Sequence, residues 1–202
     1  MSGLIVALEG IDQSGKTTIS KLLLDKLNKI SNKFSKISLR QFPDRSTFTG
    51  KIIDEFLNGK KEIDQKIIQM LFTCNRYEVK QEDEQKLNNN ELIIYDRSQY
   101  SGIVYGMAHD LDREWCYNLE KYTLEPDLIF YLDITPEKAS KRRLNMTPDR
   151  YENIKLQKKV YKIYQDISKE EGFISIDATL NKNKIVDIII ECILKFTKLN
   201  FI

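Results

Sequence analysis

The sequence predicts an α/β fold in three layers, with a five-stranded parallel sheet between two layers of helices. Three observations predict it. Short apolar runs of strand length alternate with helical stripes along the 202 residues. The first apolar run leads into a glycine-bracketed loop and then a helix, an order that suits a phosphate-binding turn. Hydrophobic residues make up 41% and charged residues 31%, the balance of a globular chain with a real core. One domain over residues 1–202 is expected.

Each element has its own signal. Residues 4–8 form an apolar run before Gly10 and read as a buried parallel strand. Residues 16–30 are helical, with Ile19, Leu23, Leu27 and Ile30 on one stripe. A second strand is expected over 36–41, stopped by Pro43. A short helix over 49–57 ends at Asn58-Gly59. A long helix over 63–87 carries Ile63, Ile67 and Leu71 on a stripe. After Asn88-Asn89-Asn90 comes a third strand over 91–95. Helices follow over 99–107 and 112–122, and a fourth strand over 127–132. Pro136 opens a helix to residue 143. Residues 151–169 form another helix, with Leu156, Val160, Ile163, Tyr164 and Ile167 inward. A fifth strand spans 173–176, and the last helix carries Ile185, Ile188, Ile189, Cys192, Ile193 and Phe196.

Composition excludes several function classes. The formal net charge is +2, which gives a nucleic-acid-coating role no support. No apolar run approaches the roughly 20 residues of a membrane span. Cys74, Cys116 and Cys192 are scattered without metal-ligand spacing, and the first residues do not read as a secretion signal. An intracellular protein is expected, in the cytoplasm with the nucleus also open to it.

Gly10-Ile11-Asp12-Gln13-Ser14-Gly15-Lys16-Thr17 matches G-x-x-x-x-G-K-T between a strand and a helix. Glycines let the backbone wrap a phosphate, and successive N–H groups point inward. The helix start adds a positive dipole end. Lys16 reaches the outer phosphates and the Thr17 hydroxyl is placed to ligate magnesium. Asn181-Lys182-Asn183-Lys184 lacks the aspartate of a guanine-reading motif, which disfavours a GTPase switch.

Three further segments carry the rest. They are Phe42-Pro43-Asp44-Arg45, Phe72-Thr73-Cys74-Asn75-Arg76 and Asp96-Arg97-Ser98-Gln99-Tyr100-Ser101-Gly102. Arg45 and Arg97 follow strands at the ends where parallel sheets bind ligands, and forked guanidiniums suit a dianionic monophosphate. Phe72 and Arg76 lie i, i+4 on one helical face. In order and spacing, with the loop at Gly10, these motifs resemble thymidylate kinases nearly end to end.

The resemblance implies a P-loop kinase fold and phosphoryl transfer from ATP to dTMP. For ATP it implicates Gly10, Asp12, Gln13, Ser14, Gly15, Lys16, Thr17 and Thr18, with Arg142 from the lid and Ala178 in the loop along the adenine. For dTMP it implicates Asp12, Phe42, Arg45, Arg97, Ser101, Gly102 and Tyr151, with Phe72 stacking on thymine and Arg76 donating to it. Tyr105 would sit against the deoxyribose. Thr17 and Asp96 would serve Mg²⁺, and Lys16, Asp12, Arg97 and Arg143 catalysis. It also implies a homodimer and a mobile lid at about 141–150. A mobile cationic segment can close over ATP and exclude water.

Two departures from relatives stand out. Gln13 replaces an arginine that some carry in the loop, so the catalytic arginine is expected from the lid, where Arg142, Arg143 and Arg150 are available. Ser98 replaces a tyrosine found in many. The acceptor oxygen is already anionic, so no general base is required, and His109 is read as a surface or structural residue. Glu9 beside the loop keeps a deoxynucleoside kinase open as an alternative, together with a monophosphate kinase of another base choice. A non-enzymatic nucleotide-binding switch is the other class.

Overall fold

In a computed structural model, residues 3–30, 33–142 and 149–200 are described. Five strands form one sheet: β1 (Leu4–Glu9), β2 (Ile37–Gln41), β3 (Leu92–Asp96), β4 (Leu128–Asp133) and β5 (Ile174–Asp177). Their order is β2-β3-β1-β4-β5 and every pairing is parallel, as the alternating pattern predicts. All of β1 and β3 is buried, so both faces of the sheet are covered. Truncating a central side chain such as Leu8 to alanine would cost about 2–5 kcal/mol.

The helices are α1 (Lys16–Ile30), α2 (Phe48–Leu57), α3 (Gln65–Asn88), α4 (Gln99–Ala108), α5 (Arg113–Glu120), α6 (Pro136–Ser140), α7 (Ile154–Glu170) and α8 (Lys182–Asn200). Helix α1 packs on α8, and α4 packs on α3, α5 and α7. Local chemistry sets their starts. Thr47, Asp64, Ser98, Asp112 and Asn153 each accept a backbone N–H at an N-terminus, which satisfies donors the helix leaves open. Pro136 takes the first position of α6, and Gly59 follows α2 at φ +70°.

Two helical stripes need correction. Ile30 on α1 is 59% exposed. On α3 the expected stripe of Ile63, Ile67 and Leu71 is wrong: Ile63 precedes the helix and Ile67 is 50% exposed. The buried face of α3 is instead Ile68, Gln69, Thr73, Asn75, Arg76, Val79 and Asp83. A mostly polar face can be buried because its groups find partners. Arg40 of β2 and the Tyr95 hydroxyl both donate to Asp83, for example, at 2.6 and 2.8 Å.

Sheet order places the site. Adjacent strands β1 and β3 pair Leu8 with Asp96, so the turns after both strands open on the same edge. The turns after β2 and β5 lie there too. This is the carboxyl edge, where the strand order reverses and ligands bind in open α/β sheets.

Candidate active site

A cavity of about 750 Å³ runs along that edge. Its floor at one end is the loop after β1. Gly10, Gln13 and Gly15 take φ of +144°, +61° and +108°, which turns successive backbone amides to one side. A side chain at Gly10 would sit 3.0 Å from the Leu132 carbonyl oxygen, so the loop closes tightly on the sheet. Lys16 is buried. Its Nζ donates to the Gly10 and Ile11 carbonyls at 3.0 and 2.7 Å. Burial pulls its pKa down to about 8, with Arg97 adding to the effect. The Thr17 hydroxyl donates to Asp96 Oδ2 at 2.6 Å. Arg142 crosses over the loop and donates to the carbonyls of Ser14 and Ala178, at 2.8 and 2.6 Å.

The other end is built from side chains. Arg97, at φ +73°, reaches back over the loop. It donates to the Gly10 carbonyl at 3.2 Å and to Ser101 Oγ at 3.1 Å, and it pairs with Asp12. The Tyr105 hydroxyl and Gln157 Nε2 donate to the other oxygen of Asp12, at 2.8 and 2.7 Å. The Asp12 amide donates in turn to Gln157 at 2.9 Å. The rings of Tyr105 and Tyr151 stack with centroids 5.7 Å apart, and Phe72 lies 6.2 Å from Tyr151. Arg76 is buried and gripped by Glu120 of α5 through Nε, at 2.9 Å, and Nη2. Its Nη1 carries no hydrogen bond among the described residues, and Arg76 lines the cavity.

The residues assigned above to ATP, dTMP, Mg²⁺ or catalysis line this cavity, with two exceptions. Gly10 lies beneath it and offers its carbonyl to Lys16 and Arg97. Arg143 lies outside the described residues, as does most of the lid, residues 143–148. Arg45 lines the cavity but ion-pairs with Asp54, and its side chain is half exposed. Phe42 packs edge-on against Tyr95 at 5.2 Å.

Two expectations change, and His109 packs as a structural residue. Arg150, one of the candidate lid arginines, donates to Glu62 at 2.7 Å and covers the Phe56 ring, away from the cavity. Glu9 does not line the cavity. Both of its oxygens are occupied by donors, so it is not available as a base for an acceptor hydroxyl. His109 sits against Tyr151 at 4.7 Å, and its Nε2 is buried without a partner among the described residues. Burial lowers its pKa.

Other groups at the site had no reading in sequence. Gln69 donates to the Gly102 carbonyl at 2.7 Å, and Glu120 and Gln157 act as above. Asn75 accepts from the Asp44 amide at 2.7 Å and donates to its carbonyl at 3.0 Å, which fixes the turn leading to Arg45. Asn75 belongs to a motif quoted above, and that position was a signal. Asp149 lines the cavity, where burial and then nearby Asp12 raise its pKa to about 6.

Comparison with known proteins gives this geometry a family. A family model for thymidylate kinase matches residues 8–189. Thymidylate kinase of Schizosaccharomyces pombe is 37% identical, over 93% of this chain and 91% of its own length. That of Arabidopsis thaliana is 40% identical over 82% of this chain, which spans 61% of the plant protein. The solved structure of Candida albicans thymidylate kinase superposes with a TM-score of 0.85 at 28% identity, covering 97% of this chain and 93% of that one. The cradle at Lys16, the guanidinium at Arg97 and the aromatic wall facing them sit in a chain that belongs to the thymidylate kinase family.

Proposed function

We propose that this chain transfers the γ-phosphoryl group of ATP to dTMP, giving dTDP and ADP. The observation that carries this reading is one cavity with two cationic anchors: Lys16 in a backbone cradle, and Arg97 held over the same loop beside an aromatic, Arg76-bearing wall. ATP phosphates take the amides of residues 13–18 and the Lys16 ammonium. The monophosphate of dTMP lies at Arg97, with Arg45 at the mouth. Thymine rests on Phe72 and accepts from Arg76 Nη1, while Tyr105 and Tyr151 wall the sugar.

The attacking atom is a phosphate oxygen that is already anionic, so positioning and charge neutralisation supply the catalysis. Asp12 orients Arg97 and receives Tyr105 and Gln157. Arg142 covers the loop from the lid side. We assign the cation that follows the transferring group to Arg143, the next residue. Thr17 and Asp96 would hold Mg²⁺. Their hydroxyl and carboxylate are hard oxygen donors already in contact, and a magnesium site needs only one or two protein groups beside phosphates and water. Bound there with ATP, the ion would supply neutralisation of phosphate charge.

The deoxynucleoside kinase alternative needs a free carboxylate base, and Glu9 is fully engaged. A coupled assay of ADP release against dTMP, thymidine and a panel of monophosphates tests the reading. Turnover is expected with dTMP and not with thymidine. The reverse preference would overturn the reading.

A homodimer and a cytoplasmic location complete the proposal. Ile67, Met70, Cys74 and Tyr77 form an exposed stripe at i, i+3, i+7 and i+10 on α3. Exposed Phe48 lies on α2, which packs against α3. A patch of that kind suits burial against a second copy. Sedimentation equilibrium is expected to give twice the chain mass, and Met70→Glu to halve it. Among the described residues no helix is long and apolar enough to cross a membrane.

A further inference from the structure

The last residue of β1 lies under the active site without touching the cavity. Glu9 is fully buried, in the central strand of the sheet. A carboxylate removed from water is costly unless donors replace the lost hydration. Here four do. Oε1 accepts from the backbone N–H and the hydroxyl of Ser98, each at 2.7 Å. Oε2 accepts from Ser101 Oγ at 2.7 Å and from the Tyr164 hydroxyl at 2.6 Å.

These donors surround one residue. Ser98 is the next residue after Arg97, and Ser101 Oγ is the atom that accepts from Arg97 Nη1 at 3.1 Å. Arg97 itself holds φ +73°, a conformation that a non-glycine residue adopts only where its surroundings impose it. Glu9 fixes the peptide after that turn and the hydroxyl that aims the guanidinium. Tyr164 touches Ser101 as well, at 3.0 Å, and closes the ring from α7. Ser98 has a second part in this, because its hydroxyl also caps α4.

We infer that Glu9 is a positioning residue: with Ser98, Ser101 and Tyr164 it holds Arg97 in the left-handed turn that presents its guanidinium to the acceptor's phosphate. The inference rests on the dTMP site proposed above and deepens it. Glu9 acts chiefly through Arg97, with a minor charge effect on Lys16, so its main effect falls on the phosphate of the acceptor. The thymine pocket is spared and the donor cradle is touched least.

Calorimetric binding of dTMP and of thymidine to the full chain separates these contributions, because only dTMP carries the phosphate that Arg97 grips. The unsubstituted chain is expected to prefer dTMP. Glu9→Gln keeps the shape but removes the charge and reverses one donor. It is expected to lose about tenfold in dTMP affinity, roughly one lost charge-assisted contact, while thymidine and ATP affinities stay within about twofold. Tyr164→Phe keeps the ring stacked on Tyr131, with centroids 5.4 Å apart, and is expected to move the same ratio in the same direction by a smaller factor. A Glu9→Gln chain that fails to fold leaves the decision to Tyr164→Phe. If dTMP and thymidine affinities fall in parallel with the thermal midpoint, Glu9 is merely structural and the inference is overturned. An unchanged ratio in both variants overturns it too. No preference for dTMP in the unsubstituted chain overturns the acceptor site itself, and the inference with it.

Discussion

The two ends of the cavity are built differently. The floor of the proposed donor end comes from one unbroken stretch, residues 10–18, which offers backbone amides and a single ammonium. The acceptor end is assembled from side chains far apart in sequence. Arg76 and Glu120 are 44 residues apart, and Asp12 and Gln157 are 145 apart. A backbone cradle concentrates its effect in very few atoms. A side-chain pocket spreads its effect over a network in which each member supports another.

The largest test of that contrast is Lys16→Ala. It is expected to reduce kcat by about a thousandfold or more, since the ammonium stabilises developing charge. The thermal midpoint should hold or rise, because burial disfavours the charged amine. Near-normal turnover in a coupled ADP assay would remove Lys16 from the site.

At the acceptor end, function and stability should fail together. Glu120→Ala strands the Arg76 charge inside the protein and is expected to cost about 3–5 kcal/mol in chemical denaturation. A loss under about 1 kcal/mol would mean the pair behaves like a surface ion pair. Gly102→Ala is a gentler probe. The added carbon would sit 2.5 Å from both Arg76 Nη2 and Glu120 Oε1, so the pair must shift. An approximately tenfold rise in KM for dTMP with little change for ATP is expected, on the scale of one displaced contact. Equal changes for both substrates would break the division between the two ends.

The smallest effect is in pH. The ordinary lysine pKa is 10.5, and burial brings Lys16 to about 8. Between these values the folded chain has given up a proton that the unfolded chain keeps. This group therefore adds stability as pH rises from about 8 to 10.5, while below 8 its full penalty is present. ATP affinity should move the other way and weaken above pH 8 as the ammonium is lost. Titrations of binding and of unfolding across that window should diverge. A parallel trend would place the shift elsewhere.

The same contrast explains what was legible in sequence. Residues 10–18 are contiguous, so the phosphate loop could be read directly, and β1 and α1 with it. The sheet followed from strand-length apolar runs. Helix α3 was misread because apolar periodicity assumes a greasy partner, and this helix turns Gln69, Thr73, Asn75 and Arg76 toward polar neighbours. Glu120 looks like any carboxylate at the end of a short helix; only the fold brings Arg76 to it. Gln157 is equally silent until α7 docks over Asp12. The resemblance to relatives supplied Phe72, Arg76 and Tyr105, but not the residues that hold them.

One feature of the loop bears on turnover as well as on capture. Lys16 donates to the carbonyls of Gly10 and Ile11. Arriving phosphates must compete with those oxygens, and departing ones are replaced by them. On the proposed reading, that competition would temper donor affinity and help ADP to dissociate. A cradle with an unsatisfied cation would grip harder and cycle more slowly.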